Sequence, residues 1–139
     1  MSSFADICKV YGKILGGNPQ IIDGTCFVFL FRNVPTTILG QETRSPYVQS
    51  FAFSFGSLDC RGRSLNTSES GMFEGEVNSF VRSYLKNNVS IAAMHKHWIF
   101  DRPSIMYIHA QSIENPIRFA LKAREALQTL RFRKFQSAC

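Results

Sequence analysis

Acidic residues are scarce in this chain: ten Asp and Glu stand against sixteen Lys and Arg in 139 residues, for a formal net charge of +6. A basic surface of this kind attracts phosphates and anionic surfaces without specificity. Charge of either sign is sparse at 19%, while hydrophobic residues reach 45%, a balance that excludes a disordered chain. Long apolar runs are missing too. No stretch approaches the roughly 18 residues of a membrane-spanning helix, and no basic segment followed by an apolar run opens the chain. A soluble, cytoplasmic protein with no membrane partner is the expectation.

Cysteine is limited to Cys8, Cys26, Cys60 and Cys139, widely separated and without a CxxC pair, which argues against a zinc ribbon or a thioredoxin-like site. In a reducing compartment all four are expected as free thiols, with two disulfides in a secreted chain as the alternative. Nucleophile motifs are absent as well. Ser64, Ser68 and Ser70 have no glycine-flanked elbow, Cys60 has no activating signature, and Gly16-Gly17 is not followed by the Gly-Lys-Ser of a phosphate loop. The basic clusters Arg61/Arg63 and Arg131/Arg133/Lys134 are short and lack interleaved aromatics. They read as solvated surface rather than a specific nucleic-acid site, although binding of an anionic polymer by the second cluster would reveal itself in strong salt dependence.

What the chain does have is phenylalanine, thirteen in all, concentrated in 25–31 and 49–55. Aromatic side chains suit a pleated, half-buried surface, so a sheet-rich core follows. The length fits one domain, 1–139. Phe4, Ile7, Cys8, Tyr11, Ile14 and Leu15 recur at helical spacing, with Ser2 or Ser3 as cap and Gly16-Gly17 as stop. Strands are predicted over 25–32, 36–39 and 47–55, the last with Phe51, Phe53 and Phe55 on one face. Residues 56–66 read as the longest loop. From Thr67 the pattern turns helical through Phe73, Val77, Phe80, Val81 and Leu85, ending at Asn87-Asn88. Strands over 89–99 and 104–110 flank a turn at 100–103, and a last helix follows Asn115-Pro116. This order predicts an α+β fold, a mainly antiparallel sheet with helices packed on one face.

The block 76–112 contains Glu-Val-Asn-Ser-Phe, then Ile-Ala-Ala-Met-His-Lys-His-Trp, then Asp-Arg-Pro-Ser-Ile-Met-Tyr-Ile-His-Ala. It resembles the LppY/LpqO family of bacterial domains of unknown function, whose pattern runs roughly Glu-Val-Asn-Pro-Phe, Thr-Ala-Leu-His-Asn-His and Pro-Arg-Leu-Phe-Tyr-Met-His. The resemblance highlights Glu76, Asn78, His95, His97, Pro103 and His109. Lys96 and Ser79 depart from the pattern, and Lys96 adds a cation beside the histidines. No established reaction is implied.

All three histidines, His95, His97 and His109, lie within that block. Strand alternation puts His95 and His97 on one face. His109 joins them if His95 stands opposite His109 and His97 opposite Tyr107, which needs an odd turn, either 101–103 or 100–104. Three imidazoles with a carboxylate or water suit zinc or another divalent metal. Glu76 is the candidate fourth ligand or general base, with His109 as the other catalytic candidate. Asn78, Trp98 and Tyr107 are candidate ligand contacts. The function expected is binding of a divalent metal or small anionic ligand, with metal-dependent hydrolysis if the protein is an enzyme. The alternative is a non-catalytic binding or homodimeric assembly module in which the histidines brace the hairpin.

Overall fold

In the computed structural model, which describes residues 3–137, the first helix, α1 (Phe4–Leu15), is closed at both ends by its own sequence. Ser3 Oγ accepts a hydrogen bond from the Asp6 amide and the Asp6 carboxylate accepts one from the Ser3 amide, a reciprocal cap that satisfies two otherwise orphaned donors. Gly16 ends the helix at φ 85°, a left-handed conformation that glycine adopts without penalty. Ser2, the other candidate cap, lies outside the described residues.

Strands β1 (Gln20–Ile22), β2 (Thr25–Phe31), β3 (Thr36–Ile38), β4 (Gln41–Thr43) and β5 (Ser50–Gly56) follow. Next come β6 (Ser64–Phe73), a 3-10 turn (Glu74–Glu76), α2 (Val77–Lys86), β7 (Ser90–Lys96), β8 (Asp101–Arg102), β9 (Ile105–Glu114), α3 (Pro116–Leu127) and β10 (Gln136–Ser137). The main sheet runs β1-β2-β5-β6-β9-β7 with β10 added against β2, and every pairing in it is antiparallel. A small second sheet has the order β4-β3-β8. The α+β class expected from the element order is therefore observed.

Alternation decides which face each strand buries. Cys26, Val28 and Leu30 of β2 and Phe51, Phe53 and Phe55 of β5 face the helices. There they share one core with Tyr11, Phe80, Tyr84 and Phe119. Among the described residues the other face of the main sheet carries no helix, and it holds all three histidines. No helix among the described residues is long and apolar enough to cross a membrane.

The element furthest from expectation is β6. Residues 67–73 are strand rather than helix, and the expected loop over 56–66 already pairs with β9 from Ser64 onward. The sequence Ser-Leu-Asn-Thr-Ser-Glu-Ser-Gly has little strand propensity of its own. It is held as the sheet's centre by ladders to β5 on one side and β9 on the other. Two of its inward hydroxyls find partners: Ser64 Oγ donates to Asn66 Oδ1 at 2.7 Å, and Ser68 Oγ meets the Tyr84 hydroxyl at 3.2 Å, whereas Ser70 Oγ has none among the described residues.

Cysteine differs from expectation as well. Cys8 of α1 and Cys26 of β2 form a disulfide rather than two free thiols, because the helix docks across the strand at the point where both side chains face the core. Cys60 is exposed and free, as expected, and Cys139 lies outside the described residues.

Candidate functional site

The helix-free face is built row by row from sheet register. One row crosses Phe29, Ala52, Glu69, His109 and Ala93, each opposite the next. A neighbouring row pairs Gly71 with Tyr107 and Tyr107 with His95. Directly opposed residues share a face, so His95, His109, Tyr107 and Glu69 all project from the same side.

The hairpin register is two residues from the one expected. His95 stands opposite Tyr107, and His109 stands opposite Ala93. The His97 amide donates to the Ile105 carbonyl at 2.9 Å, so the corner is turned by residues 98–104 rather than by 101–103 or 100–104. A shift of two preserves the face, which is why the three histidines still share one side. Asp101 and Arg102, expected as turn, add instead to the small sheet as β8.

Two of the histidines meet. His95 Nε2 and His109 Nε2 are 3.0 Å apart. His95 Nδ1 lies 3.0 Å from the Lys96 carbonyl, and His109 Nδ1 lies 3.3 Å from Glu69 Oε1. His97 is turned elsewhere: its Nε2 is 2.9 Å from the Tyr47 carbonyl and its ring stacks on Tyr107, with centroids 4.1 Å apart and planes within 6°. Burial pushes the His97 imidazole below its usual value, against the Tyr47 carbonyl, which favours the charged form. The expected three-histidine ligand set is therefore not assembled. Among the described residues, no group of three or more His, Cys, Asp and Glu side chains converges to hold a metal ion.

Tyr107 stands between the histidines, 5.0 Å from the His109 ring and 5.8 Å from that of His95. Burial raises the pKa of its hydroxyl. Trp98 packs on His97 at 4.3 Å and donates to the Val48 carbonyl at 3.4 Å. It braces His97 instead of reaching the His95/His109 pair.

Lys96 points to the opposite side from its neighbours, as alternation requires. It is paired with the buried carboxylate of Asp101 and donates to Ser104 Oγ at 2.9 Å. Burial opposes ionisation of Asp101, but the Lys96 ammonium and the Ile105 amide together outweigh it and hold the carboxyl below its usual value. The cation that neighbours the histidines in sequence is thus neutralised away from them.

Glu76 is not part of this site. It lies at the start of α2, 2% exposed, and takes both Nη atoms of Arg32 at 2.8 Å. Its oxygens also accept the Phe73 amide at 3.0 Å and the Arg131 amide at 2.9 Å. Burial raises its pKa, yet the Arg32 guanidinium and the two amides prevail and hold the carboxyl below the usual range. A carboxylate so fully engaged has no lone pair free for proton abstraction. Asn78 is exposed on α2, across the sheet from the histidines.

The residue that sequence reasoning missed is Glu69. It was hidden by reading 67–85 as one helical pattern, in which Glu69 has no register with His109. The alternation of Thr67, Glu69 and Gly71 against Asn66, Ser68 and Ser70 was the available signal. Beside Glu69 and His109 lies an open groove of about 350 Å³, walled by Phe27 and floored by Ser54, Thr67 and Gln111. Ser54 and Thr67 hydroxyls are hydrogen-bonded at 2.6 Å.

Residues 9–129 match one family model, described as Domain of Unknown Function (DUF1259). No curated protein and no solved structure matches the chain.

Proposed function

The chain belongs to the DUF1259 family of domains, whose description carries no reaction, and from the geometry of the open sheet face we propose a divalent-metal site centred on His95 and His109. The observation that carries this reading is the chain of three contacts from the Lys96 carbonyl through His95 and His109 to Glu69. Both ends accept and cannot donate. Two neutral imidazoles bring two protons to three contacts. When each Nδ1 proton points to its outer acceptor, the two Nε2 lone pairs face one another, and a cation between them relieves the repulsion.

A carbonyl and a carboxylate on the outer ring nitrogens are the partners that orient metal-ligating histidines and raise their basicity. Imidazole nitrogen suits zinc, copper, nickel or iron. With two protein ligands, the ion keeps positions open for water or a small anionic ligand entering from the groove beside Glu69, and hydrolysis is the reaction class such an ion would serve. The ligand set thus loses His97 and Glu76 relative to the expectation from sequence and gains Glu69 as an outer support. The resemblance to LppY/LpqO domains is compatible with this reading, since it highlights His95 and His109.

Calorimetric titration of tag-free, chelator-stripped protein with zinc tests the reading. One equivalent bound by the native protein and lost in both His95→Ala and His109→Ala, with their circular dichroism unchanged, is the expected result. A native protein that takes up no zinc, copper or nickel would overturn the reading.

A further inference from the structure

The tail that follows α3 carries Arg131, Arg133 and Lys134 and is tied to the body of the protein at several points. The Arg131 amide donates to Glu76 Oε2 at 2.9 Å, and Arg32 Nη1 donates to the Phe132 carbonyl at 2.9 Å. The Phe132 ring meets Phe73 edge-on at 5.9 Å, and Phe135 meets Phe51 at 5.3 Å. Gln136 and Ser137 then pair with Phe31 and Leu30 as β10. A segment fixed this way presents its side chains from a defined backbone, which lowers the ordering cost of binding.

Between these anchors and the end of β2 lies a cavity of about 460 Å³, lined by Asn33, Arg131, Arg133, Lys134 and Gln136, with Val34 and Phe132 as its apolar wall. Among the described residues its lining contains no carboxylate, and none of its three cations enters an ion pair. Glu76, the carboxylate tied to the tail backbone, is spent on Arg32. The Arg131 guanidinium lies over Gly75, where a β-carbon would come within 3.5 Å of Nη2. One Nη1 of Arg133 donates to the Gln128 carbonyl at 3.2 Å, leaving its other donors open. Across Asn33 a second cleft holds Arg44 and Arg102, with Glu42 as its carboxylate.

We propose that this tail cavity is a binding site for a phosphate-bearing small molecule. Two guanidinium forks and an ammonium around one cavity supply planar donors and a point charge, the combination that recognises phosphate oxygens. Asn33 and Gln136 add amide donors, and the apolar wall accommodates the body of the molecule that carries the phosphate. The cavity lies at the end of β2 and the tail, apart from the residues of the histidine site, and stands on observations independent of it.

Inorganic pyrophosphate is the probe, titrated calorimetrically into metal-stripped protein so that the histidine pair takes no part. Arg133→Gln/Lys134→Gln is compared with Lys9→Gln/Lys13→Gln on α1, which removes the same net charge elsewhere. A tenfold or greater loss of affinity confined to the first double variant is expected. Equal loss in both would reduce the effect to overall basicity and overturn the site, as would native protein that does not bind pyrophosphate at all. Arg131→Gln serves as a second variant, with circular dichroism recorded on each to confirm the fold; native-like binding by Arg131→Gln or by the Arg133→Gln/Lys134→Gln double variant also overturns the proposal.

Discussion

His97 lies face to face with Tyr107, rings 4.1 Å apart and nearly parallel, while its Nε2 meets the Tyr47 carbonyl at 2.9 Å. The stack lies within the β7–β9 hairpin, the Tyr47 contact ties that hairpin to the segment before β5, and together they remove His97 from the pair formed by its neighbours. The division of labour has a measurable consequence. His97→Ala should leave zinc affinity within about twofold of native while lowering stability by about 1–2 kcal/mol, from the lost ring pair and hydrogen bond. Parallel zinc titration and urea unfolding of the same variant check both halves.

Glu69 supports His109 from its outer nitrogen. Glu69→Gln keeps the shape and removes the charge, so zinc binding should weaken by about 10–100-fold, the range found for outer-shell carboxylates. The Glu69 side chain is 52% exposed, so unfolding by urea should change little. Unaltered zinc affinity would separate Glu69 from the proposed metal site.

Glu76 and Arg32 form the buried ion pair of the protein's other face, with side chains 1% and 0% exposed. Removing one partner strands the other, a loss of about 3–5 kcal/mol in comparable buried pairs. Glu76→Gln should destabilise the protein to that extent, read by chemical denaturation, with no effect on zinc binding in the variant that remains folded at low denaturant.

The same residue sets an acid limit. Its carboxyl is held below the usual value in the folded protein, whereas the unfolded value is about 4.3. The stabilisation it gives is complete above the unfolded value and is lost as pH falls through the lower folded value. Urea midpoints measured from pH 6 downward should therefore drop on acidification in the native protein, and the drop should be smaller in Glu76→Gln.

Much of this architecture was legible. The spacing of Phe4, Tyr11 and Leu15 marked α1, and the alternation of Phe51, Phe53 and Phe55 marked the core face of β5, because both patterns are written by burial on one side only. β6 was not legible, since its inward residues from Ser64 to Ser70 are serine and asparagine and its strand geometry comes from neighbours on both edges. The loss of β6 concealed Glu69. Strand alternation put the three histidines on one face whatever the turn length, provided it was odd. Which of them touch depended on a two-residue register and on Tyr47, fifty positions away from His97. The Glu76–Arg32 pairing likewise joins residues 44 apart and has no local signature.

The Cys8–Cys26 disulfide closes a separation of 18 residues. A loop of that size is worth about 3 kcal/mol through the unfolded state. Reduction, or Cys8→Ala/Cys26→Ala, should lower the unfolding free energy by about that amount in matched urea titrations. Equal stability with and without reductant would show that the bond does not form.

Long-range proton–nitrogen NMR of the imidazole rings reads directly whether the proposed cation joins Nε2 of His95 to Nε2 of His109. With one equivalent of zinc, metal-bound Nε2 and protonated Nδ1 signals are expected for His95 and His109, and an unchanged His97. Imidazole signals that do not respond to zinc, or a response at His97 in place of the pair, would contradict it.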